Sequence, residues 1–318
     1  MPEALCSDED FVAVFEREGP EKTKEIFGFQ SIRGVYGRRA SIEGRIGRQI
    51  TCPDTSKGRL TCQHVAHPYR VELDIPDGIV LVGSDAHYWP NRITTAHRAF
   101  VRACKELKPK AVIMNGDVLD GARISRHPPI GWESRPTLIE EIEACKERLE
   151  EIKSAAVNAK LIWTLGNHCA RFETRLATVA PEYAKVHGFH LQDSFPEWQP
   201  GWACWINGGV VVKHRYKGGS HAAFNNTVHA GKTIVTGHLH SLKVTPFTDY
   251  GGMRWGVETG TLADVYGEQF VDYTEDSPRS WQSGFVVLTF HRGMLLPPEL
   301  AHVMSDGEVS FRGRVYAV

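Results

Sequence analysis

The sequence predicts an α/β catalytic domain preceded by a small all-α module, and three observations carry that reading. Short apolar runs at Ile79–Val82, Ala111–Met114 and Leu161–Leu165 alternate with longer amphipathic stretches, which implies a largely parallel sheet covered by helices. The later runs, Val210–Val212, Thr233–Val235 and Phe285–Phe290, follow one another without long helices and imply a more antiparallel second sheet. Ahead of both, the pattern from Ser7 to Ile50 is short and helical. The expected organisation is a helix-turn-helix-like module over residues 1–50, a polar connector over 51–77 and a catalytic domain over 78–318.

In the module, Ser7 with Asp10 can cap a helix from Glu9 to Arg17 that Gly19 stops, and Pro20 opens a second short helix through Phe27. Gly28-Phe29-Gln30 reads as a tight turn, and Ser31 can cap a third helix with Ile32, Val35 and Tyr36 on one face, the outline of a helix-turn-helix. Arg33, Arg38, Arg39, Arg45 and Arg48 stand there against Glu43, a basic cluster suited to the phosphate backbone of DNA or RNA, with Arg33, Arg38 and Arg39 as the candidate contacts. The competing reading is a helical cap whose arginines are simply solvated; Gly34 and Gly37 each cost the third helix about 1 kcal/mol relative to Ala. In the connector, Cys52, Cys62, His64 and His67 match no familiar zinc-finger spacing. Beyond it, Arg92–Leu107 is helical. So is Thr137–Ala156, where Leu138, Ile142, Cys145, Leu149 and Ile152 recur at helical spacing. A helix over Gly219–Ala230 carries His221 and His229, read as surface residues.

Composition narrows the class. With 42% hydrophobic and 24% charged residues the chain reads as globular, and 37 Lys+Arg against 38 Asp+Glu gives no overall hint of a polyanionic partner. No apolar run approaches the ~18 residues of a membrane span, and the acidic start is unlike a signal peptide. Seven scattered cysteines without a Cys-x-x-Cys pair argue against a disulfide framework, so a cytoplasmic location is expected, with no membrane partner. The unusual count is 15 histidines.

Their placement carries the chemistry. Five apolar runs are followed in turn by Asp85-Ala86-His87, Gly116-Asp117-Val118-Leu119-Asp120, Gly166-Asn167-His168, His214 and Gly237-His238-Leu239-His240. Loops after strand C-termini form the ligand crevice of an open α/β sheet, so these side chains should converge, and imidazole with carboxylate suits Mn, Fe or Zn. One Asp-x-His alone is ordinary turn chemistry; five such ends in order are not. Ala230-Gly231-Lys232-Thr233 lacks the earlier Gly of a phosphate-binding loop.

The ordered set resembles the calcineurin-like metallophosphoesterases, over Ile79 to about Phe290 and including Glu258-Thr259-Gly260-Thr261-Leu262. The resemblance implies a four-layer β-sandwich flanked by helices, with two divalent metal ions at one edge, Mn first and Fe, Zn or Ni as alternatives. By motif, it implies that Asp85, His87 and His240 hold one ion, Asn167, His214 and His238 the other, and that Asp117 bridges them. It also implies His168 as proton donor, oriented by Asp120. Physically, two such ions clamp a phosphoryl group and lower the pKa of a bridging water. Only two carboxylates then leave the centre net positive, which favours a phosphate ester. Cys169 stands where the family often has an acid, and Gly121 where its phosphatases often have Arg, so protein-phosphatase specificity does not transfer. Arg123 and Arg171 are the candidate substrate contacts. The expected function is hydrolysis of phosphodiester bonds, in nucleic acid first. The alternatives are a small-molecule phosphatase or cyclic-nucleotide phosphodiesterase, and a DNA-binding regulator whose phosphoesterase fold is structural.

Overall fold

The computed structural model describes residues 5–52, 67–127, 129, 131, 133–183, 186–274, 277 and 279–318, with backbone alone for 271–273. Packing divides the chain into two units, Met1–Gln63 with Leu176–Ala184, and His64–Arg175 with Lys185–Val318. Cys62 and His64, weighed above as zinc ligands, lie outside the described residues.

The first unit is built on α1 (Asp8–Phe27) and α2 (Ile32–Ile46). Ser7 Oγ accepts the Asp10 N–H and Ser31 Oγ the Gly34 N–H, while Gly28 and Gly47 end the helices at φ 69° and 67°. The expected break at Gly19-Pro20 is a kink inside one helix: Gly19 leaves helical geometry at φ 82°, and the buried Thr23 hydroxyl donates back to its carbonyl at 2.7 Å. Phe11, Phe15, Val35, Ile42 and Ile50 form the core. The basic cluster is largely neutralised within the unit. Asp8 accepts from both Arg38 and Arg45, Glu16 from Arg48 at 2.6 Å, and Arg39 lies 3.4 Å from Glu43. Arg33 is exposed. Asp8 and Glu16, which neutralise these arginines, lie one helix away, outside the stretch whose local charge the sequence shows as basic.

The second unit contains two mixed sheets. Its strands are β1 (Val71–Leu73), β2 (Gly78–Gly83), β3 (Ala111–Asn115), β4 (Lys160–Thr164), β5 (Gln199–Gly201), β6 (Cys204–Ile206), β7 (Val210–Lys213), β8 (Thr233–Thr236), β9 (Leu242–Asp249), β10 (Gly252–Thr259), β11 (Gly284–His291), β12 (Met294–Leu295), β13 (Glu299–Ser305), β14 (Glu308–Phe311) and β15 (Arg314–Ala317). One sheet runs β15-β14-β13-β11-β2-β3-β4-β5 with β12 on β11; the other runs β1-β6-β7-β8-β10-β9. β1 falls in the stretch expected as connector: Val71 and Leu73 alternate with Glu72, too short a pattern to register in sequence.

Alternation along buried strands builds the layers. Val80, Val82, Ile113 and Ile162 face Val212, Val235 and Val257 of the opposite sheet. Leu81, Val112, Met114 and Trp163 turn the other way, onto helices α3 (Thr95–Leu107) and α4 (Leu138–Ala155). α4 carries a full capping box between Thr137 and Glu140, and α3 starts at Thr95 because Thr94, past the Asn91 turn, accepts the His97 N–H. Helix α5 (Cys169–Val179) follows β4. On the outer face of the second sheet, Gly256 of β10 lies against the Ala223 backbone of α6 (Ala222–Ala230), where a Cβ would collide. A short α7 (Glu268–Thr274) precedes β11. This is the expected sandwich of two sheets flanked by helices. The strand directions differ from expectation. β2-β3-β4-β5 are parallel, but β11 and β13–β15 extend the same sheet antiparallel, while β7, β8 and β10 are parallel within the second. None of the helices among the described residues is long and apolar enough to cross a membrane.

Candidate active site

The C-terminal ends of β2, β3, β4, β7 and β8 deliver their side chains to one place. Tight turns are needed to aim them. Asp85, His87, Asp117, His238 and His240 adopt φ of 51°, 40°, 47°, 72° and 55°, a left-handed conformation uncommon outside glycine and concentrated here at the candidate donors. The glycines of the motifs make the close approaches possible. A Cβ on Gly166 would overlap the Asp117 carboxylate, one on Gly116 the His214 ring, and one on Gly237 the Ser84 hydroxyl and Asp85 carboxylate.

Three groups of candidate donors result, one of them His87 with Asp120 and His168, and the other two face each other. Asp85, His87 and His240 form one, with His240 Nε2 at 3.3 Å and His87 Nε2 at 4.0 Å from Asp85 Oδ1. Asp117, His214 and His238 form the other, His214 Nε2 lying 2.9 Å from Asp117 Oδ2. The two meet at His214, whose Nε2 is also 3.9 Å from Asp85 Oδ1. Ring orientation is fixed from behind. His214 Nδ1 donates to the Asn115 carbonyl at 2.8 Å and His87 Nδ1 to Asp120 Oδ1 at 2.8 Å, which turns each Nε2 inward. Asp85 is held by the Ser84 hydroxyl and the His238 N–H, and Asp117 Oδ1 accepts the His168 N–H at 2.8 Å.

Several of the donor atoms lack partners. Asp85 Oδ1, His87 Nε2 and Asn167 Oδ1 are buried without a hydrogen bond, as is His240 Nδ1, and His214 Nε2 has only the Asp117 carboxylate directly beside it. Buried polar atoms are nearly always satisfied, so several unsatisfied ones among mixed imidazole, carboxylate and amide donors fit divalent cations. Electrostatics agree. Burial works against the Asp85 charge, but the His214 and His240 rings hold its carboxyl at about 2. Burial likewise opposes charging of His214, yet Asp85 and Asp117 lift it to about 9. At pH 7 the metal-free His214 is therefore protonated, and a cation must expel that proton to reach Nε2. Calorimetry of Mn binding in buffers of different ionisation enthalpy should show release of about one proton from this residue, with affinity falling as pH drops below about 9. Binding without proton release would show that His214 does not ligate.

His168 sits beside this centre, its ring 4.6 Å from that of His87. Its Nδ1 lies 2.8 Å from the Asp120 carbonyl and 3.1 Å from Asp120 Oδ1. Burial lowers its basicity, but Asp120 and Asp117 outweigh that and raise it. Arg171, on the first turn of α5, donates to the Asp120 carbonyl at 3.0 Å and lies 3.1 Å from His168 Nε2. Arg123 points elsewhere: its Nε and Nη2 bond the carbonyls of Arg135 and Pro136 in its own loop. Cys169 is buried, its thiol pushed up to about 12 by burial, so it is no nucleophile.

Several contributors were not anticipated from the sequence. Asp120 serves His87 as well as His168. Glu141, fully buried on α4, accepts the Gly121 and Ala122 N–H groups at 2.6 and 3.0 Å and so fixes the turn that carries Asp120. Phe270 and Trp281 pack on the donor rings, Trp281 at 4.4 Å from His240 and Phe270 at 5.2 Å from His87. The spacing of Glu141 on an amphipathic helix among other glutamates gave no signal, and neither aromatic belongs to a motif.

Comparison with known proteins agrees with this geometry. The profile of the calcineurin-like phosphoesterases matches residues 79–313, which contain every donor described above. The chain belongs to the calcineurin-like phosphoesterases. Among curated relatives, the Gene 54 proteins of Mycobacterium phages L5 and D29 are each 27% identical over 247 residues, 70% of this chain and 92% of theirs. Among solved structures, a zinc-complexed Vps29 from Entamoeba histolytica is 13% identical with a TM-score of 0.38, over 76% of this chain and 98% of that one. An archaeal phosphodiesterase is 13% identical with a TM-score of 0.33, over 70% and 99%.

Proposed function

We propose that this calcineurin-like phosphoesterase hydrolyses phosphodiesters with two divalent metal ions. The observation that carries the proposal is the convergence of buried carboxylate, amide and imidazole donors from the ends of β2, β3, β4, β7 and β8, several of them without a hydrogen bond. Asp85, His87 and His240 would hold one ion, Asn167, His214 and His238 the other, and Asp117 would serve both. The ions, Mn first, supply Lewis-acid polarisation of the phosphoryl group and a nucleophilic water at neutral pH. The chain supplies the rest. Asp120 fixes His168 Nδ1, which leaves Nε2 to face the leaving oxygen; in the free site Nε2 accepts from Arg171 at 3.1 Å, and once Arg171 turns to a phosphate oxygen a protonated Nε2 can deliver its proton. A singly charged diester suits the site better than a dianionic monoester, because Gly121 replaces a cationic side chain and Arg123 is engaged with backbone carbonyls.

His168→Ala should retain both ions and lose activity by about 10²–10⁴ on an alkyl diester, the usual contribution of a general acid. An aryl diester, whose leaving group needs little protonation, should lose far less. Equal losses on the two substrates would remove His168 from that role.

Nucleic acid is the substrate class that the arginines of α2 favour, through Arg33, Arg38 and Arg39. The pairing of Arg38, Arg45 and Arg48 with Asp8 and Glu16 favours the second reading, a small diester such as a cyclic nucleotide. Anisotropy with labelled single- and double-stranded DNA across a salt series separates them. On the first reading, changing Arg33, Arg38 and Arg39 to Ala weakens binding and flattens the slope by about one counterion per lost phosphate contact, while small-diester hydrolysis is unchanged. Unchanged affinity and slope would place the small-diester reading first.

A further inference from the structure

A cavity of about 610 Å³ lies beside the metal donors but is not formed by them. It is lined from β4, the first turns of α5, and residues 190–202, and its volume falls in the range of small-molecule sites, about 300–1,000 Å³. Trp163, Phe195 and Trp198 are its buried aromatic residues, each 3% exposed, with the Trp163 and Phe195 rings 5.1 Å apart. Tyr69 and Trp202 also line it, yet they remain 86% and 40% exposed. Two large aromatic faces left in water at an aromatic cavity are an unfavourable arrangement unless a ring covers them.

The polar groups define what kind of ring. No Lys or Arg is among the described lining residues, burial lowers the basicity of His67, and His190 is paired with Glu173, so no unbalanced positive charge stands there to attract a phosphate. Its carboxylates are committed to the wall. Glu173 accepts from His190 Nδ1 at 2.8 Å and from the Leu191 N–H at 3.1 Å, and Asp193 accepts the Gly188 and His190 N–H groups at 2.8 and 3.2 Å. The Gln192 amide lines the cavity, and among the described residues it makes no hydrogen bond. A side-chain amide presents one acceptor beside one donor, the complement of the edge of a nucleobase.

We infer that this cavity binds an uncharged nucleobase, stacked on Tyr69 and Trp202 with its polar edge on Gln192. The site stands beside the metal centre along α5: Cys169 lines the cavity, and His168, the residue before it, faces the metal donors. Base binding therefore needs no metal and no phosphate, which makes it testable apart from hydrolysis.

The test is tryptophan fluorescence and equilibrium dialysis of the full-length protein, treated with EDTA, against adenosine. Saturable one-to-one binding is expected, unaffected by inorganic phosphate. Trp202→Ala and Gln192→Ala should each weaken it by at least about fivefold, the lower bound of a lost base stack for the former, and Trp202→Phe should recover part of the loss. Tyr69→Ala, at a residue with little buried surface, gives the same readout should Trp202→Ala fail to fold. No saturable binding, equal affinity in the variants, or binding abolished by phosphate would each overturn the assignment.

Discussion

Asp117→Asn should reduce phosphodiester hydrolysis by more than about a hundredfold and weaken binding of both metal ions. Replacing only an outer partner of a metal ligand costs about 10–100-fold, and Asp117 stands at the centre of the constellation. It lies 2.9 Å from His214 Nε2, accepts the His168 N–H at 2.8 Å, and is pressed against Gly166. Its carboxyl is held ionised far below the ordinary range; burial alone would raise it, but the His214, His168 and His87 rings dominate. Asparagine keeps the shape and one acceptor but removes the charge that offsets two cations. Metal analysis and turnover on one preparation check this. Near-normal turnover with two ions bound would refute a shared role for Asp117.

Gly166→Ala should be nearly as damaging although it removes no ligand. Its Cβ would occupy the position of the Asp117 carboxylate and crowd the Asp117 backbone nitrogen at 2.7 Å, and neither can retreat within a buried, close-packed centre. Either the β4 loop with Asn167 and His168 moves away, or Asp117 does. Activity should fall by about a hundredfold or more, since misplacement of about 1 Å is enough for that loss, while the far-UV spectrum stays native. Full activity in this variant would mean that the loop approaches Asp117 less closely than described.

Much of this centre was legible in the sequence because its donors follow apolar strand cores directly, and the continuous apolar runs, buried at every position from Val80 to Val82 and from Ala111 to Met114, mark where each strand ends. Asp85, His87, Asp117, Asn167, His168, His214, His238 and His240 could all be placed at strand ends on that basis. What supports them could not. Glu141 shares its stretch of α4 with Glu140 and Glu143, and only the tertiary fold distinguishes the fully buried one that anchors the Asp120 turn. Strand direction was misjudged because short apolar runs do not record their neighbours: β8 and β10 pair in parallel across the intervening β9, and β11 joins the first sheet instead of the second. The charge of the N-terminal helices was misjudged for the same reason. Asp8 reaches Arg38 and Arg45 only once α1 and α2 pack together.

The most direct test of the central claim is a metal titration followed by turnover. Protein stripped with EDTA is titrated with Mn, and hydrolysis of a nucleoside-free phosphodiester is followed as a function of ions bound per chain. The account predicts negligible activity in the stripped protein and full activity only as the second equivalent binds, with Asp117→Asn failing to reach it. Full activity at one equivalent, or hydrolysis that persists without metal, would contradict it.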